Sequence, residues 1–451
     1  MGVLPVLSAI LLASTTHAEF TFVRRTSLAP RSQDVALPAA EFTVPFTGKA
    51  SVRKSKKGAL AALRGGASNA VVVDGTDFDE EYITNVTVGG QHFALIVDTG
   101  SSDTWVPQIG FNCFDLDHNP VSPDTCAFGT PGFNIQASKT FKPFPNVSFN
   151  ITYGDGEFLS GPVGFDTISV GGLSVTGQEF GVPTLAAWEG DTVNTGLIGL
   201  AFPELTSVYN TTDPTKASGA NQLPYDPFFF TAVKEKKLKN SIFSVSLDRG
   251  TLEQQENDIF DANLGFLAFG GIVPVPVTDT SVTVPIEGYS ATTGIPSSAL
   301  GSTFFFYTVD VESFTFPGSN KLSTAQNNTI LDTGTTLNFV PTDVAAAYNA
   351  AFKPPAVNDP DVGGFIVPCN ATVPEFLVRI GGKEFSVDGR DQLLPIGTDA
   401  NGVLTCITGT QDGGPAVADN IFILGDVFLH NVVATFNPIA EQVTLTQRQK
   451  Y

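Results

Sequence analysis

The 451-residue chain is poor in the residue types that would mark several common classes of protein. It has four cysteines, four histidines, two tryptophans and one methionine. No CxxC occurs among the cysteines, and His17, His92, His118 and His430 form no HExxH pair, so neither a metal centre nor a cofactor is expected. Four cysteines in so long a chain also cannot build a disulfide-dense scaffold. Only 15% of the residues are charged, against roughly 25% in ordinary soluble domains. Basic residues number 24 and acidic ones 45, for a formal net charge of −21. Nucleic acid is thereby excluded as a partner, because phosphate binding needs clustered Lys and Arg. An anionic membrane surface is excluded for the same reason. No long stretch lacks glycine or proline, which number 44 and 30. Helical bundles and coiled coils avoid both residues, so the expected class is all-β, with many short strands joined by turns.

Long apolar runs are missing too. Val3–Ala13 is the apolar core of a charge-free segment that ends in the small residues Thr16 and Ala18. It is too short for the roughly 20 residues a bilayer crossing needs, and it reads as a secretory signal spanning residues 1–18. No membrane anchor is expected, since the chain closes on the polar Thr446–Tyr451. Residues 19–70 carry nine basic and three acidic side chains, a net +6 ahead of a body at −27. Such a contrast predicts a propeptide that docks by Coulomb attraction at neutral pH and loosens in acid.

Secretion lets the cysteines oxidise. Of the three pairings open to four cysteines, Cys113–Cys126 with Cys369–Cys406 closes the shortest loops and is preferred. It also makes the sequons at Asn85, Asn146, Asn150, Asn210, Asn327 and Asn370 candidate glycan acceptors, although Asn85 falls in an expected strand.

The body contains an internal duplication. Leu95-Ile-Val-Asp-Thr-Gly-Ser-Ser-Asp-Thr-Trp-Val-Pro107 aligns without gaps to Thr329-Ile-Leu-Asp-Thr-Gly-Thr-Thr-Leu-Asn-Phe-Val-Pro341. A second pair follows, Asn194-Thr-Gly-Leu-Ile-Gly-Leu-Ala-Phe202 and Asn420-Ile-Phe-Ile-Leu-Gly-Asp-Val-Phe428. Asp98 precedes Gly199 by 101 residues and Asp332 precedes Gly425 by 93. Two motifs in the same order, twice, predict two similar lobes, at 71–247 and 248–451. In each, an apolar strand runs into an Asp-Thr-Gly turn. Glycine permits the sharp turn and close approach, while hydroxyls hold the loop rigid. The later apolar-Gly segments predict buried strands passing behind these turns.

These residues resemble those of the pepsin-like aspartic proteases, in the style of secreted fungal members, over Tyr82 to about Leu445. The resemblance implies a bilobal fold with a central cleft, each lobe giving one catalytic carboxylate, Asp98 and Asp332. It implies that Thr99 and Thr333 interlock behind the pair, beside Gly100 and Gly334, and that Ser101 and Thr335 bond the outer carboxylate oxygens. Asn150-Ile-Thr-Tyr-Gly-Asp-Gly156 is similar to the family's flap, with Tyr153, Gly154 and Asp155 at its tip and Trp105 bonding the tyrosine. Asp155 would be placed to accept a lysine before the scissile bond. The chain departs from the family pattern in Val88-Gly-Gly-Gln-His92, which lacks the usual proline, and in an enlarged Cys113–Cys126 loop beside the cleft. Extra loops are expected at Thr206–Gln222 and Gly288–Ser302.

Two carboxylates a few ångströms apart cannot both ionise cheaply, so one keeps its proton. The ionised member activates a water and the protonated one supports the oxyanion, with Asp332 the base by resemblance. The expected activity is secreted, acid-active endopeptidase cleavage of peptide and protein substrates beside large apolar residues, by a monomer made as a zymogen and inhibited by its own propeptide. The alternatives are a non-catalytic binding protein on the same fold and a glycoside hydrolase, which also pairs carboxylates but in unlike environments.

Overall fold

In a computed structural model, the described residues are 20–23, 37–49, 81–154, 156–251, 260–291, 304–319, 328–360, 362–399, 402–416 and 421–451. The signal segment, the basic part of the leader beyond Lys49, Asp155, Asn327 and most of Gly288–Ser302 lie outside them. Strands dominate, as the glycine- and proline-rich composition requires, and they assemble two β lobes joined by a shared sheet.

The first lobe is built on an 11-stranded sheet. At its heart Ile83–Val88 and Gln91–Asp98 form a hairpin. Its turn is Gly89-Gly90, at φ 56° and 80°. These left-handed angles suit glycine, and the pair turns the chain where proline was absent. Leu197–Gly199, fully buried, runs parallel to Gln91–Asp98, with Gly199 opposite Asp98, and antiparallel to Thr104–Trp105. The second lobe repeats this. Phe422–Leu424 lies parallel to Asn328–Leu331 and antiparallel to Asn338–Val340 in a seven-stranded sheet. The two sequence repeats are therefore two copies of one topology, with the apolar strand passing behind the Asp-Thr-Gly turn in both.

A six-stranded sheet joins the halves, in the order Val277–Pro285, Gln442–Arg448, Val432–Asn437, Phe243–Leu247, Gly265–Phe269, Phe42–Pro45. Its floor is aromatic: Phe243 stacks on Phe436 at 4.8 Å and meets Phe229 edge-on at 4.9 Å. The lobes also touch directly. Tyr307 Oη donates to the Leu200 carbonyl (2.6 Å), and Phe202 N donates to the Phe305 carbonyl (3.3 Å). Burial of this aromatic floor adds to the cohesion that the shared sheet gives the halves.

Phe42–Pro45 forms the sheet's outer strand by antiparallel pairing with Gly265–Phe269. Val44 and Phe46 are buried there, and Glu41 accepts a bond from Lys239 N (2.8 Å). The described part of the leader is held by strand addition and apolar burial, and all of its basic residues but Lys49 lie outside the described residues. Thr206–Gln222, expected as an extra loop, is locally built. It contains the strand Val208–Tyr209, paired with Ser148-Phe149, and a turn of 3-10 helix at Pro214–Lys216 capped by Asp213.

Both expected disulfides form, Cys113–Cys126 and Cys369–Cys406. Among the sequons, Asn146, Asn210 and Asn370 are exposed, Asn150 is half-buried with its amide donating to the Pro214 carbonyl, and Asn85 is exposed although it sits in a strand. No helix among the described residues is long and apolar enough to cross a membrane.

Candidate active site

Asp98 ends the strand Gln91–Asp98 and Asp332 follows the strand Asn328–Leu331, 234 residues later. The fold brings the two turns face to face. Thr99 N donates to Thr333 Oγ1 (3.1 Å) and Thr333 N donates to Thr99 Oγ1 (3.0 Å). Each hydroxyl then donates across to the other lobe, Thr99 to the Leu331 carbonyl (2.9 Å) and Thr333 to the Val97 carbonyl (2.7 Å). In these four buried bonds each hydroxyl both donates and accepts across the lobes, so neither turn can shift without the other.

The carboxylates above them are held just as symmetrically. Gly100 N donates to Asp98 Oδ1 (2.6 Å) and Ser101 Oγ to Asp98 Oδ2. Gly334 N donates to Asp332 Oδ1 (2.8 Å) and Thr335 Oγ1 to Asp332 Oδ2 (2.9 Å). The need for glycine is one of space: a Cβ on Gly100 would lie 2.5 Å from the Asp332 carboxyl, and one on Gly334 would lie 2.6 Å from Asp98 Oδ1. Any side chain at either position would push the pair apart.

Both carboxyls are buried, Asp98 at 3% exposure and Asp332 at 0%. Burial raises Asp98 above its ordinary 3.8, against the pull of its bonds from Ser101 and Gly100. Burial and then the charge of Asp98 raise Asp332 well above that value. One proton is therefore retained by the pair.

The flap hairpin also forms where the motif placed it. Lys142–Thr152 pairs with Phe158–Val170, and Tyr153 N donates to the Glu157 carbonyl (2.8 Å) to close the tip. Gly154 lies in the turn. Trp105 Nε1 donates to Tyr153 Oη (2.7 Å), which holds the tyrosine at the edge of an aromatic cluster. Sequence reasoning missed the rest of that cluster. Trp188 packs edge-on against Trp105 at 5.0 Å and against Tyr153 at 6.0 Å, and Phe128 lies parallel to Trp188. Trp188 is one of only two tryptophans in the chain, and that rarity was the available signal.

The Cys113–Cys126 loop, expected as a cleft wall, is a hairpin added to the flap's own sheet. Asn112–Phe114 pairs with Leu185–Ala187, which pairs in turn with Phe158-Leu159-Ser160. Among the described residues no group of His, Cys, Asp and Glu is arranged to hold a metal ion.

Two β lobes that each present one aspartate to a shared, buried, proton-holding pair define a class of acid–base hydrolase. The sequence profile of the eukaryotic aspartyl proteases matches residues 81–448. A probable aspartic-type endopeptidase of Aspergillus fumigatus is 35% identical over 94% of both chains. Aspergillopepsin-1 of Aspergillus clavatus is 32% identical over 94% of this chain and 91% of its own. Endothiapepsin of Cryphonectria parasitica is 30% identical over 87% of this chain and 80% of its own. The crystal structure of an aspartic proteinase from Irpex lacteus superposes with a TM-score of 0.60 over 91% of this chain and 98% of its own, at 21% identity, which speaks for the fold. The chain belongs to the eukaryotic aspartyl protease family, whose members are peptide-bond hydrolases.

Proposed function

We propose that the chain is a secreted, acid-active endopeptidase in which Asp98 and Asp332 jointly activate a water against a peptide bond. The observation that carries this reading is two buried carboxyls brought together on turns interlocked by Thr99 and Thr333. The pair acts jointly as acid and base, with Asp332 the base by resemblance. Its ionised member takes a proton from the water as the water oxygen attacks the scissile carbonyl carbon, while the protonated member donates its proton to the carbonyl oxygen. Collapse of the gem-diol breaks the C–N bond as the pair protonates the amide nitrogen and takes a proton back from a diol hydroxyl, which restores the single shared proton. No covalent enzyme intermediate is required.

Extended peptide would lie under the flap by main-chain bonding, with alternate side chains in apolar pockets. The Trp105, Trp188 and Phe128 surroundings of Tyr153 favour large apolar residues beside the cut. Residues 19–70 are read as a propeptide. In support, Phe42–Pro45 fills an edge position of the sheet that joins the lobes, which a strand left behind after processing would have to be replaced in or keep. Digestion of haemoglobin at acid pH, blocked by a statyl peptide, tests the reading. Asp98→Asn and Asp332→Asn are each expected to abolish turnover. Full activity in either would end it, and so would a rate maximum above pH 7.

A further inference from the structure

The flap is anchored on one side by an element that belongs to neither of its strands. Phe158, Leu159 and Ser160 pair with Lys142–Thr152 on one edge and with Ala187, Ala186 and Leu185 on the other. The second ladder stops at Phe158–Ala187, where the chain leaves the sheet at Trp188. One residue nearer the tip, the side chain of Glu157 takes over: its Oε1 accepts from Glu189 N at 2.6 Å. Glu157 is 7% exposed. The bond satisfies an amide that the end of the strand had left without a ladder partner. It also fixes the residue next to Trp188, whose ring packs against both Tyr153 and Trp105. On the same side, the His118 ring of the disulfide-closed hairpin lies 4.4 Å from the Phe158 ring.

We propose that Glu157 is a positioning residue: through Glu189 N it ties the flap tip to the segment bearing Trp188, so that Tyr153 and Trp188 are set as one unit over the bound peptide. The tie rests on the protease reading for its effect on catalysis, but not for its structural content. The bond from Glu189 N to Glu157 involves neither Asp98 nor Asp332. Its loss should loosen the grip on substrate before it slows the chemistry.

The test compares the full-length wild type with Glu157→Gln and Glu157→Ala at acid pH. Glutamine keeps an acceptor oxygen at the same reach, whereas alanine removes it. For Glu157→Ala the expected change is a KM raised about tenfold with kcat held within about threefold, the pattern of lost binding rather than lost transition-state chemistry. Glu157→Gln should stay within about twofold of wild type on both, as an amide oxygen accepts the same bond. Trp105 and Trp188 are the only two tryptophans, so intrinsic fluorescence reads this cluster without any turnover. Glu157→Ala should shift the emission to the red and Glu157→Gln should not. A wild type without peptidase activity would count against the protease reading, while the emission arm would still judge the tie. An unshifted emission and unchanged KM in Glu157→Ala would overturn it. So would a glutamine variant as impaired as alanine, or a loss confined to melting temperature. If Glu157→Ala does not fold, Glu189→Pro removes the donor from the opposite side and is held to the same two outcomes.

Discussion

Asp103 and Asp391 are both shut away from solvent, and they sit in opposite surroundings. Asp103, five residues beyond the first dyad carboxylate, receives neutral donors only: Ser207 N at 3.0 Å and Tyr225 Oη at 2.8 Å. Burial outweighs them and pushes its carboxyl up to about 6. Glu179 in the same lobe is pushed up to about 7, by burial and then by the charge of Asp103. Asp391, in the second lobe, faces a fork of Arg249 (Nε to Oδ1 2.5 Å, Nη2 to Oδ2 2.9 Å), Nδ2 of Asn431 at 2.7 Å and Nδ1 of His430 at 3.1 Å. Burial pulls that carboxyl up as well, but His430 and Arg249 overcome it and hold it below 3.8. Burial alone therefore does not decide the charge of a carboxyl. The presence of a cation and the number of charge-assisted bonds do.

The difference has a consequence for pH. A folded value above the unfolded one means that Asp103 and Glu179 favour the folded state when protonated. Their contribution is complete below about pH 4 and is lost as pH rises through about 6 and 7. Asp391 has the reverse sign: its contribution is present above 3.8 and is lost as pH falls through its depressed value. By these signs Asp103 and Glu179 favour the folded first lobe in acid, and the Asp391 cluster favours the folded second lobe above its depressed value. The Asp98–Asp332 pair obeys the first rule, since burial raises both carboxyls.

The largest effect that sharpens this comparison is at the dyad. Replacing either carboxyl by its amide removes the exchangeable proton while keeping the shape, and kcat should fall by about a thousandfold or more in a peptide-hydrolysis assay. Next comes the compensated cluster. Asp391→Ala leaves Arg249 buried without its partner and should cost about 3–5 kcal/mol of stability in denaturant unfolding near pH 5. Asp103→Asn should act in the opposite direction. It keeps an oxygen for Ser207 and Tyr225 and cannot ionise. It should raise stability at pH 7 by about 2–3 kcal/mol, from a shift of roughly two units at 1.36 kcal/mol each, while leaving the melting temperature at pH 3 unchanged. If neutral-pH melting were the same in Asp103→Asn and wild type, the contrast between the lobes would fail. The smallest effect is Arg249→Lys, which keeps the charge but loses the planar fork. A cost of about 1 kcal/mol is expected, read as a small drop in melting temperature.

Much of this site was legible because each of its halves is local. In Asp98-Thr-Gly-Ser101 and Asp332-Thr-Gly-Thr335, every group that bonds a carboxylate lies within three residues of it, so the turn can be read as a unit and its repetition seen. The flap is legible for the same reason, since Tyr153 and Glu157 close their own tip. The leader was read by its charge, yet its described part is held by a short apolar strand that composition does not distinguish from any other. Trp188 was marked only by the rarity of tryptophan, while Asp103 with Tyr225 and Asp391 with Arg249 were not legible at all. The last two pairs are 122 and 142 residues apart, and nothing in their neighbouring residues marks one as the other's partner.

What the amino-acid order alone determined is the pair of identical turns, their apolar lead strands and the strands behind them, because these follow from bonds and periodicities a few residues long. Only the tertiary structure decided which carboxyls keep protons and which keep charge. That outcome depends on desolvation and on cations delivered from distant segments, and it becomes defined only when the lobes have closed around them.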